Sequence, residues 1–260
     1  MDSSLRLFSF IGLFLLLALL ERLRPAWQQD AMYRSRWLNN FSLLVIGALV
    51  TRALFGLGLI ELATWAQQNN FGLLNNTNSP AVMKGLLAYI LLDMAIYWQH
   101  VASHKIPLLW RFHKVHHADT ALDVSSAVRF HPIEAIISFA YKGLVVVLVG
   151  APAIAVLCFE LALNLGASFN HANIAIPKRL DQFIRLLIVT PSFHRIHHSP
   201  TPTRTNSNYG FMIIWWDYLF GSSTAITTAE DSTTVGLDNL GENIDPANIK
   251  ASLVDIPFRT

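Results

Sequence analysis

Two copies of one histidine spacing stand out in the chain: His113-x-x-His116-His117 and His194-x-x-His197-His198. A third group, His100-x-x-x-His104, precedes the first copy, so eight of the ten histidines fall in three short segments. Neutral imidazole is the commonest biological ligand of transition metals, and on a helix residues i, i+3 and i+4 share one face. Each triplet is therefore expected to aim three imidazoles at one point, with His100 and His104 adding two more. Eight converging imidazoles exceed what one ion needs, so the spacing points to a two-metal site. A lone histidine is better read as a core residue with satisfied hydrogen bonds; three clusters are not.

The elements that must carry these clusters are membrane helices. Hydrophobic residues make up 53% of the 260-residue chain and charged residues only 14%, and the mean hydropathy is +0.40. That composition is a membrane protein's, and the length suits one domain. A net charge of +2 with no basic block gives nucleic acid no footprint. The single cysteine, Cys158, lies in an apolar run, so no disulfide framework and no thiolate metal site is available; it reads as a packing residue.

The expected fold is an all-α, multi-pass membrane bundle of about four spans plus interfacial helices, capped on the cytoplasmic side by the histidine-rich metal site. Residues 1–80 read as N-terminal membrane helices, 81–221 as the di-metal catalytic domain and 222–260 as a polar tail without recognisable chemistry. Apolar runs predict helices over 5–20, 38–65 and 82–104. Gly150-Ala151-Pro152 then divides a hairpin of two helices, 133–149 and 151–171. Residues 177–189 predict an interfacial amphipathic helix, and the tryptophans of 211–220 an interfacial belt. Arg22, Arg24, Arg34 and Arg36 place the first loop in the cytoplasm. Counting crossings from there brings all three histidine clusters to that same side.

Further polar residues fall on the faces these helices turn inward. Asp93, Tyr97, His100 and His104 share one helical face. Asp93 reads either as a carboxylate orienting a metal-bound imidazole or as a packing carboxylate paired with a neighbouring helix. Glu160, Asn164 and His171 share another face, which makes His171 a candidate ninth ligand. Arg129, His131 and Glu134 close the segment between the third span and the hairpin. All three are candidates for outer partners of the ligands, His131 in that role rather than as a ligand.

The order of these groups between apolar spans, with the words around them, resembles the fatty acid hydroxylase/sterol desaturase superfamily. The words are Leu109-Trp110-Arg111-Phe112-His113-Lys114-Val115-His116-His117, Arg129-x-His131-Pro132-x-Glu134, His194-Arg195-x-His197-His198-Ser199, Asn208-Tyr209-Gly210 and Trp216-Asp217-x-Leu219-Phe220-Gly221. Tyr218 departs from the pattern, since family members often carry Arg there. The resemblance implies an oxidoreductase of the membrane with two iron ions held by His100, His104, His113, His116, His117, His194, His197 and His198, and His171 completing the set. It implies dioxygen as co-substrate and hydroxylation or desaturation of a lipid C–H bond, the lipid being fatty acyl, sterol or related. A C–H bond has no acid or base handle, so a redox metal must supply the oxidant. Zinc also favours imidazole and competes for such a site in recombinant protein.

The chain has neither the cysteines for an iron–sulfur cluster nor a Gly-rich nucleotide fingerprint. A separate electron donor of ferredoxin or cytochrome type is therefore expected. The compact chain suits a bacterial inner membrane. The main alternative is a membrane metal-dependent lipid hydrolase acting through metal-bound water; the scarcity of acidic residues within the clusters argues against it. A metal transporter would string its ligands through the bilayer, and a lipid-binding protein with a vestigial site would have lost some of them.

Overall fold

The computed structural model describes residues 3–28, 33–225, 234–238, 240 and 244–259, and among these it has helices and no strand. Helices α1 (Ser3–Leu23), α2 (Tyr33–Phe55), α3 (Leu59–Gln68), α4 (Ala81–Lys105), α6 (Pro132–Val149) and α7 (Ala153–His171) form the bundle. Helices α5 (Pro107–His117), α8 (Lys178–Ile184), α9 (Pro191–His197), α10 (Pro202–Thr205) and α11 (Trp215–Leu219), with a 3-10 turn over Val124–Val128, build one end of it. Four segments are long and apolar enough to cross a membrane: Tyr33–Gln68, Ala81–Lys105, Pro132–Val149 and Ala153–His171. Leu86, Leu144, Leu148 and Ile154 on these helices face outward. Helices apolar all round are what a lipid solvent selects, and the protein is an integral membrane protein.

The helix expected over 38–65 differs in two ways. It starts earlier, at Tyr33, so its first turns stand among the loops of the histidine-bearing end, where Arg36 and Asn40 bond Asp119. It also breaks at residues 56–58. Gly56 takes φ +65°, the left-handed conformation that glycine reaches without a Cβ penalty, and its N–H still reaches Arg52 O at 2.9 Å. Helix α3 restarts after Gly58, whose N–H donates to Glu61 Oε2 at 3.0 Å.

The amphipathic helix expected over 177–189 is shorter than its pattern. Helix α8 stops at Ile184 because the following backbone pairs elsewhere: Val189 N–H donates to Met212 O at 3.0 Å, and Ile188 bridges Ile213. That pairing sets the second histidine triplet under the 208–214 loop. The hairpin follows expectation. Pro132 opens α6 at its first position and Gly150, at φ +67°, ends it. At the end remote from the histidines, Leu73 N–H bonds Leu148 O at 2.9 Å. There Gly72 lies so close that a Cβ on it would sit 2.4 Å from Gly150 N. The core between these ends joins Leu59 and Ala63 of α3, Leu92 and Ile96 of α4, Val146 of α6 and Phe159 of α7.

Candidate metal centre

Nine histidines gather in two groups. His100, His104, His113, His117 and His197 form one; His116, His171, His194 and His198 form the other, and within each group the ligand atoms lie within 4.8 Å of one another. This corrects the expectation that each triplet points to a single place. On α5, His113 and His117 go to the first group and His116 to the second; on α9, His194 and His198 go to the second and His197 to the first. Successive residues turn about 100° around a helix, so the i+3 and i+4 imidazoles fan apart by that angle and can serve two ions. Helix α4 completes the first group with His100 and His104. Helix α7 completes the second with His171, the expected ninth ligand candidate.

The rings are oriented from behind. Nδ1 of His100 bonds Tyr209 O at 2.7 Å, that of His171 bonds Ala167 O at 2.7 Å, that of His197 bonds Ser207 O at 2.7 Å and that of His116 bonds Arg129 O at 3.2 Å. His113 Nδ1 bonds Glu134 Oε1 at 2.6 Å. A carbonyl can only accept, so each of these Nδ1 atoms carries the proton and leaves Nε2 with a free lone pair. Two such lone pairs then face each other: His100 and His113 Nε2 at 3.2 Å, and His116 and His171 Nε2 at 3.1 Å. Bare lone pairs at that distance repel, and a cation between them removes the conflict. Buried nitrogens of His104, His117, His194, His197 and His198 have no hydrogen-bond partner among the described residues. Burial, reinforced by neighbouring imidazoles, holds His116, His117, His194 and His198 well below the usual histidine range, and burial holds His197 at about 3. Neutral, proton-poor imidazoles in two groups fit two transition-metal ions.

The structure gives the other expected residues different places. Glu134 does meet one of the grouped imidazoles, as its bond to His113 shows. Arg129 offers its carbonyl to His116, while its fully buried guanidinium donates to Val115 O at 2.7 Å, Asn40 Oδ1 at 2.9 Å and Pro246 O at 2.8 Å. His131 lies outside both groups. Its Nδ1 accepts from Ile133 N–H at 3.1 Å, capping α6, and its Nε2 meets Leu253 O at 3.2 Å. Among the described residues Asp93 bonds no imidazole: its Oδ2 accepts from Trp216 Nε1 at 2.7 Å and from Ile213 N–H at 3.3 Å. Trp216, read from sequence as part of a belt, thus ties the 209–217 loop to α4.

Sequence reasoning gave no role to the carboxylates that brace the loops. Arg36 donates Nε to Asp119 Oδ1 at 2.6 Å, Nη2 to Asp119 Oδ2 at 2.9 Å and Nη1 to Asp123 Oδ2 at 2.9 Å. Burial alone would raise the Asp119 carboxyl, but Arg36 overrides it and holds it at about 2. Asp217 accepts from the N–H groups of Tyr209 and Gly210, each at 2.8 Å, and so fixes the carbonyl that receives His100. Glu21 Oε1 accepts from Val124 and Asn173 N–H, each at 2.7 Å, beside His171. Acidic residues two positions after a triplet, as Asp119 is, and one position after Trp216, as Asp217 is, were the available signals.

A cavity of about 460 Å³ leads to the first group between α2, α4, α6 and α7. His100 and His113, with Glu134 and Phe130, are among its lining residues, and its walls are mostly apolar.

Residues 85–222 match the family model described as fatty acid hydroxylase. The chain is 31% identical to an ornithine lipid hydroxylase of Rhizobium tropici over 55% of its own length and 42% of that protein's. It is 31% identical to an alkylglycerol monooxygenase of Danio rerio over 52% of itself and 29% of that protein. With a very-long-chain aldehyde decarbonylase of Arabidopsis thaliana it shares 30% identity over 50% of itself and 21% of the relative. The chain therefore spans less than half the length of these relatives. No solved structure matches it. All nine grouped histidines, and the Asn208-Tyr209-Gly210 loop that orients one of them, fall inside the family match, and the chain belongs to the fatty acid hydroxylase family.

Proposed function

We propose that the protein is a membrane di-iron oxygenase that hydroxylates, or desaturates, a C–H bond of a lipid chain with dioxygen and external electrons. The observation that carries this reading is the pair of opposed Nε2 lone pairs, one in each imidazole group. Both groups are all-imidazole, with no carboxylate among the ligand atoms, a donor set that speaks for oxidative rather than hydrolytic chemistry. The relatives named hydroxylase and monooxygenase point the same way.

His100, His104, His113, His117 and His197 would hold one iron and His116, His171, His194 and His198 a second, and the bound irons would supply the dioxygen chemistry that an unactivated C–H bond requires. The chain's own residues do the rest. Tyr209, Ser207, Ala167 and Arg129 carbonyls hold the imidazole protons on Nδ1, and Glu134 strengthens His113 as a donor. The apolar cavity walls exclude water and align the chain of the substrate beside His100 and His113. Residues 81–221 act as the catalytic unit, buttressed by α2. Hydroxylation consumes one dioxygen, two electrons and two protons and releases one water; the electrons come from a separate ferredoxin or cytochrome. The end that carries the histidines faces the cytoplasm, because Arg22, Arg24, Arg34 and Arg36, at the joined ends of α1 and α2, lie at that end, and a bacterial inner membrane is the expected site.

The test is metal analysis with Mössbauer spectroscopy on protein purified anaerobically from iron-57-fed cells, followed by mass spectrometry of lipids turned over under oxygen-18. Two irons per chain, one for each imidazole group, and one labelled oxygen in the lipid are expected. A single tightly held zinc under iron-replete growth would overturn the reading.

A further inference from the structure

The cavity that reaches His100 and His113 has a second, cationic end. Arg52, which is exposed, and half-buried Lys142 line it together with Gln99, Ser138 and Asn164. Contacts along α6 give the depth. Gly47 sits against Ala135, the Phe55 ring lies 4.6 Å from Phe139, and Gly143 faces Leu62. Lys142 is thus level with the break at residues 56–58, and about 12 Å along the helix from Glu134 at roughly 1.5 Å per residue. Both cations stand inside segments apolar enough to span a membrane, where an ionisable residue needs a partner or a function.

The partners are too few. Glu160 of α7 is the acid that acts on Lys142, whereas Arg52 forms no ion pair among the described residues. Leu57 and Gly58, from the broken stretch, also line this cavity. Backbone outside a helix is tolerated at membrane depth only against protein or a polar cavity. Unbalanced positive charge and interrupted backbone therefore meet on one space that is otherwise apolar and leads to the metal centre. Its volume of about 460 Å³ takes one extended chain rather than a two-chain phospholipid.

We propose that Arg52 and Lys142 form an anion subsite that holds the carboxylate of a single-chain lipid, with the chain running toward His100 and His113. This deepens the oxygenase reading and rests on it for the outcome at the far end of the chain. Oxidation then falls on a carbon remote from the carboxylate, not on its neighbour.

The experiment is equilibrium binding of radiolabelled palmitate, hexadecanol and hexadecyl phosphate to the full chain in nanodiscs of phosphatidylcholine. Binding needs no turnover, so it is read apart from the oxygenase reading. Palmitate should bind at least tenfold more tightly than hexadecanol. Lys142→Met and Arg52→Met should each erase most of that preference while leaving hexadecanol binding and metal content unchanged; Lys142→Arg should keep the preference and shows that the site tolerates replacement. Equal affinity for acid and alcohol in the wild-type chain, or an undiminished preference in both Met variants, would overturn the subsite. Tighter binding of hexadecyl phosphate than of palmitate would overturn its assignment to a carboxylate. A confirmed preference with no iron and no oxidised product would instead remove the oxygenase reading and leave the subsite standing.

Discussion

Glu134 Oε1 accepts the Nδ1 proton of His113 at 2.6 Å, from the first turn of the helix that follows the first triplet's loop. The carboxylate fixes the ring's tautomer and raises the electron density on Nε2. Glu134→Gln keeps an acceptor but removes the charge, and Glu134→Ala removes both. Metal affinity, measured by chelator competition, should fall about 10–100-fold for loss of such an outer partner, with Ala worse than Gln.

His171 stands alone on α7, 23 residues before His194, yet its Nε2 lies 3.2 Å from the His194 Nε2. Removing it strips one ligand from the second group only. His171→Ala should lower bound iron from two to about one per chain, and His104→Ala should do the same from the first group. The two variants should differ in which Mössbauer signal they lose. Equal depletion of both signals in both variants would contradict the division into two groups.

The Arg36–Asp119 pair spans 83 residues and is nearly buried on both sides. Cutting one partner leaves a charge without compensation, which typically costs about 3–5 kcal/mol. Arg36→Met should therefore lower the unfolding midpoint sharply in a fluorescence melt. The sign of the pH dependence follows from Asp119. Its folded-state value of about 2 lies below the ordinary carboxylate value of 3.8. The stability it contributes is present above about pH 4 and is lost as pH falls through about 2.

Asp93 receives Trp216 Nε1 and the Ile213 N–H, and so anchors the loop whose Tyr209 carbonyl orients His100. Asp93→Asn retains an acceptor and should keep both metals. Asp93→Ala leaves the indole N–H without a partner, at a cost of about 1–3 kcal/mol. Iron content and a thermal melt of the two variants separate these outcomes.

The histidines were legible because metal ligation restricts residue type and a helix restricts spacing. His171 was legible for the same reason, through the face it shares with Glu160 and Asn164. The division of each triplet between two groups was not, since it depends on where α4 and α7 stand around α5 and α9. His131 reads as metal chemistry beside so many histidines, although the Pro132 that follows it is a helix-start signal and its ring is a cap. Arg36 and Asp119 could not be paired from sequence across 83 residues. The break at Gly56 was hidden because its flanks are apolar enough to read as one continuous span.

The buried guanidinium of Arg129 carries a consequence for biosynthesis. Two of its partners, Pro246 O and Ser252 Oγ, belong to a stretch made after every grouped histidine. Until that stretch emerges from the ribosome, the cation beneath the His116 carbonyl partner lacks half of its acceptors. The brace behind His116 is therefore completed only after all nine grouped histidines have been made, when residues 246–252 dock on Arg129.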